Sequence, residues 1–193
     1  MGKSPRLFLE KTSEEKLMTI YSAFKHRFTT DSELIEILLG LKTIISEYGA
    51  IENLFTNAYK KTDIFNAMKA MSEAVKCRCS LPNHSMVPSP DRNSACKRLW
   101  LFLRWMVRKD NVDPGGWKDV LKKDLIVPVD THMFRIAKML GLTKRNQADM
   151  KSAVEITQGF AVINPEDPVR YDFCLTRFGI HPEISIIGNI YST

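Results

Sequence analysis

The chain has 193 residues, 44% hydrophobic and 26% charged, which is long enough to bury a core and too balanced in composition for a disordered or fibrous protein. No apolar run reaches the roughly 18 residues that a membrane span needs, and the opening "MGKSPRLFLEKTSEEK" has neither the apolar segment nor the cleavage site of a signal peptide. The net charge of +6 is uneven: residues 1–96 carry +2, residues 97–145 carry +7 and residues 146–193 carry −3. A basic excess gathered in the middle of the chain suits a polyanionic partner, nucleic acid first of all.

The expected architecture is all-α, a single helical domain of 1–193, with N-terminal helices in 1–79, a hairpin and further helices in 80–180, and a tail in 181–193. "TSEEKLMTIYSAFKHRF" predicts a helix from Thr12 to Phe28, with Thr12 and Glu15 at capping-box spacing. "DSELIEILLGLKTIISEYG" sets Leu34, Ile37, Leu38, Leu41, Ile45 and Tyr48 on one stripe and stops at Gly49. A short helix over Ile51–Phe55 follows, then one from Asp63, its N-cap, to Val75. Residues 79–95, "CSLPNHSMVPSPDRNSA", hold three prolines and no periodicity and read as a loop or irregular hairpin.

"ACKRLWLFLRWMVRKD" is the most apolar helix, and its breadth of apolar surface predicts burial on several sides. "NVDPGGW" breaks it, and a turn of helix is expected over Trp117–Leu121. Helices over 131–140, 149–162 and 169–178 complete the set, and the tail "HPEISIIGNIYST" reads as a short strand or an irregular cap. The four cysteines include a C-x-C at Cys77 and Cys79 and no C-x-x-C, so no disulfide framework is expected. Cys77, Cys79 and His84 match no standard metal spacing, and no metal or organic cofactor is expected.

The most informative stretch is "LIVPVDTHMFRIAKMLGLT", residues 125–143. Pro128 favours extended chain before it. Asp130 stands where the helical stripe Met133, Ile136, Ala137, Leu140 begins, and Gly141 ends it. An aspartate there accepts backbone N–H bonds and sits at the positive end of the helix dipole, which favours its ionised form. Periodicity alone makes it an N-cap.

"VPVDTHMFRIAKMLGL" also resembles the aspartate segment of the helix-hairpin-helix DNA glycosylases, the superfamily containing endonuclease III. In that superfamily the aspartate faces the scissile glycosidic bond and works with a lysine from a hairpin of the L-P-G-V-G-x-K type. The corresponding place here is "SPDRNSACKRLW", with Lys97 at the start of the apolar helix and Arg92, Asn93 and Ser94 where the hairpin glycines would be. Such a hairpin, with 33 residues from Lys97 to Asp130, is similar to the archaeal 8-oxoguanine glycosylase branch. With "INPEDPVRYDF" added, the resemblance is closer to a bacterial family of unknown function distantly related to that branch. It covers about residues 80–180, more loosely upstream, and against that family the chain is expected to be short at its N-terminus.

With no span or signal peptide a cytoplasmic chain is expected; the resemblance implies a nucleoid-associated DNA base-excision enzyme acting on double-stranded DNA with a damaged base such as an oxidised purine, and while nothing in the sequence fixes the oligomeric state a monomer is expected. Asp130 would stabilise the positive charge that builds on the sugar, and Lys97 would attack C1′ to form a Schiff base. A lysine with pKa of about 10.4 is ordinarily protonated. Apolar surroundings at Trp100 and Leu101 would ease its deprotonation, with Asp130 taking the proton. Arg92, Asn93, Ser94, Arg98, His132 and Arg135 are the candidate nucleic-acid contacts, His132 being equally able to support Asp130. Trp100 and Trp105 are the candidate stacking surfaces for an everted base. The rival readings are a non-catalytic nucleic-acid-binding protein of the same fold and a helical interaction module in which Asp130 is only a cap.

Overall fold

A computed structural model describes residues 4–27, 29–60, 62–79, 86–92 and 94–180. Among these residues the chain forms nine α-helices, one 3-10 turn and a two-stranded hairpin, an all-α protein. No described helix is long and apolar enough to cross a membrane. The chain divides into two compact units, Met1–Ser89 and Pro90–Thr193, with the border in the proline-rich stretch. The tail 181–193, His84 and Asn93 lie outside the described residues.

In the first unit the single helix expected over residues 12–28 is replaced by a shorter helix and the first strand of a hairpin. Helix α1 (Pro5–Lys11) is capped by Ser4 and closed by Thr12, whose hydroxyl donates back to the Phe8 carbonyl. Helix α2 (Glu14–Tyr21) starts from Ser13, which accepts the Lys16 N–H, so the cap lies one residue beyond Thr12. Strands β1 (Lys25–His26) and β2 (Thr29–Thr30) then pair antiparallel. The spacing of Leu17, Ile20, Tyr21 and Phe24 prolongs a helical stripe, but Ala23 takes φ +61° and gives its N–H to the Asp31 carboxylate. Local capping chemistry outweighs periodicity there.

Helix α3 (Asp31–Tyr48) opens with a Thr30–Glu33 capping box and ends at Gly49, φ +76°, as the stripe predicts. Helices α4 (Ile51–Tyr59) and α5 (Ile64–Lys76) pack on it, Asp63 capping α5 through the N–H groups of Phe65 and Asn66. Leu9, Leu17, Ile35, Leu38 and Ile45 form one core cluster of this unit.

The second unit is built on α6 (Lys97–Val107), α7 (Thr131–Met139), α8 (Met150–Ile163) and α9 (Asp172–Ile180). After α6 the chain folds back: the Gly115 N–H donates to Trp105 O and the Trp117 N–H to Met106 O. Gly115 sits at φ +67°, and a Cβ there would lie 2.7 Å from the Lys109 side chain, so the return needs a glycine. The turn of helix expected at 117–121 lies instead at Lys122–Asp124, as a 3-10 turn. Leu125, Ile126, Val127 and Val129 are buried in non-helical chain, the Val127 N–H donating to Thr157 on α8 at 3.0 Å. This buried segment delivers Asp130 to the start of α7.

Candidate functional site

Helix α6 begins abruptly. Cys96, buried, adopts the left-handed conformation (φ 47°, ψ 35°), and its carbonyl accepts from the Leu99 and Trp100 N–H groups. For a residue with a Cβ that conformation costs roughly 1 kcal/mol. The sharp turn makes Lys97 the first helical residue.

Asp130, extended at φ −112°, is the N-cap of α7. It divides its carboxylate: Oδ1 accepts the Met133 N–H at 2.8 Å and Oδ2 accepts from Lys97 Nζ at 2.7 Å. The Lys97 side chain is 42% exposed and that of Asp130 18%. Lys97 therefore lacks the apolar enclosure expected beside Trp100 and Leu101. Burial pushes the Asp130 pKa up, but the Lys97 hydrogen bond, the Met133 N–H and the charges of Lys97 and His132 outweigh it. The net pKa lies below the ordinary carboxylate range, so Asp130 stays ionised near neutrality.

Lys97 also lines a pocket of about 390 Å³, within the ~300–1,000 Å³ range of small-molecule sites. Leu101, Arg104 and Trp105 of α6, Val112 and Pro114 of the return, Pro128, and Asp172, Phe173 and Thr176 of α9 share its walls. Trp105 is 42% exposed and faces this pocket. Trp100, 1% exposed, is core, and this corrects its assignment as a stacking surface: a ring sealed on both faces offers nothing to a base.

Arg92, Ser94 and Arg98 are exposed around the turn that leads into α6, Ser94 accepting the Cys96 N–H at 3.3 Å. Arg135 is exposed on α7, and His132 is partly buried two residues from Asp130.

Sequence reading missed an ion network beneath the pocket. Arg104 of α6 and Arg108, the C-cap of that helix, are both buried and share Asp113, which is fully buried. Arg104 Nη1 also lies 2.6 Å from Asp172 Oδ1, and Arg108 pairs with Asp167 at 3.0 Å and Asp110 at 2.9 Å. Asp113 is held in place by Asp110, which accepts the Val112 and Asp113 N–H groups. Burial raises the Asp172 pKa to about 6, and the Asp113 charge adds to this against the opposing pull of Arg104 and the Phe173 N–H. The available signal was two arginines four apart on the most apolar helix, followed within a few residues by Asp110 and Asp113. Buried cations demand acids.

A family model described as "protein of unknown function (DUF2400)" matches residues 1–181. The chain belongs to this family. No curated protein and no solved structure matches it. The match runs through both units of this DUF2400 member and includes Lys97, Asp130 and every pocket-lining residue.

Proposed function

We propose that this DUF2400 protein is a DNA base-excision glycosylase and lyase of the helix-hairpin-helix type, acting on a damaged base everted from duplex DNA. The observation that carries the reading is the 2.7 Å contact of Lys97 Nζ with Asp130 Oδ2 at the edge of a base-sized pocket. A primary amine and a fixed carboxylate, remote in sequence, are the two groups that this chemistry requires.

In the reaction Lys97 gives up a proton along its hydrogen bond to Asp130. The free amine attacks C1′, and the N-glycosidic bond breaks with its electron pair leaving on the base. Asp130, whose pKa is held low, does not retain the proton but passes it to the departing base. While the bond breaks, positive charge grows on the sugar, and the carboxylate stabilises it at short range. One Nζ proton then passes by way of Asp130 to the ring oxygen as the sugar opens to a protonated Schiff base between Lys97 and C1′, and loss of a C2′ proton to water with departure of the 3′ phosphate on its C–O electron pair cuts the strand. Lys97, half-exposed, is reachable by a backbone sugar. Arg92 and Arg98 supply exposed positive charge on the approach to α6, and Trp105 supplies the aromatic surface of the pocket.

The deciding experiment is borohydride trapping on duplex DNA containing an abasic site. Wild type should give a covalent protein–DNA band, and Lys97→Ala should give none while retaining affinity for the same duplex. Salt-dependent binding without trapping would reduce the protein to a nucleic-acid binder. Neither binding nor trapping would leave a helical interaction module.

A further inference from the structure

Helix α9 walls the pocket beside Lys97 with Asp172, Phe173 and Thr176, whose i, i+1, i+4 spacing sets them on one face. The charged groups of the pocket are already engaged. Asp172 is buried and held by Arg104, Arg104 is held by Asp113 as well, and Lys97 is held by Asp130. Thr176 differs from them. It is half-buried, and its hydroxyl makes no hydrogen bond among the described residues.

That sets it apart from the other helical threonines. A threonine inside a helix can give its hydroxyl to a carbonyl of the preceding turn. Thr19, Thr43 and Thr157 do so to Glu15, Leu39 and Ala153, and Thr56 does so to Asn53. Thr131 begins α7 and has no turn before it. Thr176 has a full turn before it, from Asp172 to Leu175, and leaves the Asp172 carbonyl alone. Its hydroxyl is available at the pocket wall, able to donate to a carbonyl of a ligand or to accept from its N–H.

We infer that Thr176 is a specificity-determining residue of this pocket, its hydroxyl exchanging a hydrogen bond with the polar edge of the everted base. The inference rests on the base-excision reading and adds to it a group that reads the base. Leu101, Trp105, Pro128 and Phe173 enclose the ring system with apolar surface, and contacts of that kind tolerate a base of similar shape whatever its edge. A hydrogen bond at the wall does not. The base occupies the pocket only while its glycosidic bond is being broken, and on an abasic strand Lys97 meets the sugar alone. Thr176 therefore acts on base removal rather than on the lysine chemistry that follows it.

The test compares two rates in the full chain: single-turnover removal of 8-oxoguanine, hypoxanthine, uracil or 5-hydroxyuracil from a duplex, and borohydride trapping on a duplex with a preformed abasic site. Wild type should remove at least one of the four bases. Thr176→Val keeps the shape of the side chain and deletes only the hydroxyl, and Thr176→Ala is a second deletion that does not depend on the fit of valine. In both, the ratio of base removal to trapping should fall by about tenfold, the scale of one hydrogen bond left unmade, and in Thr176→Ser it should stay within about threefold of wild type. A ratio unmoved by both deletions would overturn the assignment, as would a wild type that traps on abasic DNA yet removes none of the four bases. A wild type that gives no trapped product removes the parent reading, and the role of Thr176 with it.

Discussion

Asp130 gives one carboxylate oxygen to the Met133 N–H and the other to Lys97 Nζ, 33 residues away, so capping and pairing are not alternatives for this side chain. The cap fixes the carboxylate on the axis of α7, and that fixed position allows a half-exposed lysine to meet it at 2.7 Å.

The two duties separate by substitution. Asp130→Asn keeps an acceptor for the Met133 N–H but removes the charge. Its unfolding free energy should fall by less than about 1 kcal/mol, since the Lys97 pair is partly solvated. Its trapped product on abasic DNA should fall by about 100-fold, the scale of losing one electrostatic catalyst. Asp130→Ala should lose the product and also about 1–2 kcal/mol of stability. Denaturant titration beside the trapping assay reads both.

Asp172 makes a distinctive contribution to stability against pH. Its folded pKa, about 6, lies above the ordinary 3.8, so the folded state binds its proton more tightly than the unfolded chain does. The resulting stabilisation is complete below pH 3.8 and is lost as pH rises through 6. Asp130, Asp110 and Asp149 have lowered values, and their contributions are already complete above pH 3.8. Between pH 4.5 and 7.5, Asp172→Asn should therefore gain on the order of 2 kcal/mol relative to wild type. Urea midpoints of the two proteins at several pH values would show this, and parallel curves would contradict the shift.

The Arg104–Asp113–Arg108 network should be costly to break from one side. Asp113→Ala leaves two buried guanidiniums sharing fewer acids and should cost about 3–5 kcal/mol. Asp110, 38% exposed in its side chain, pairs with Arg108 at the rim, and loss of its charge in Asp110→Asn should cost less than about 1 kcal/mol. Thermal unfolding of the two variants gives the comparison.

The two tryptophans of α6 should behave in opposite ways. Trp100→Ala empties a fully buried site and should cost about 3–5 kcal/mol. Trp105→Ala should change stability by under about 1 kcal/mol, because the ring is 42% exposed, and should weaken free-base binding in the pocket by about tenfold. The reverse pattern would relocate the stacking surface.

The helical class, the α3 stripe ending at Gly49, the Asp63 cap and the Asp130 cap were legible from the sequence because each depends on neighbours within a few residues. The failure at residues 12–28 was also local: the Leu17–Phe24 stripe competes with a left-handed Ala23 tied to Asp31, and periodicity does not register one side-chain bond. Trp100 and Trp105 are five residues apart on one apolar helix, about 140° round its axis, and composition could not say which face the rest of the unit would cover.

By itself, then, the sequence determined the helical class, the end of α3 at Gly49 and the caps at Asp63 and Asp130, with Asp130 ionised at a helix start, since propensity and capping act over one or two turns. Only the tertiary structure decided that Lys97 reaches that aspartate, that Arg104 and Arg108 are buried on Asp113, and that Asp172 closes a pocket with Trp105. Those relationships join α6, the return after it, α7 and α9. Each arises from packing apolar faces together, which brings charges into register that no local pattern encodes.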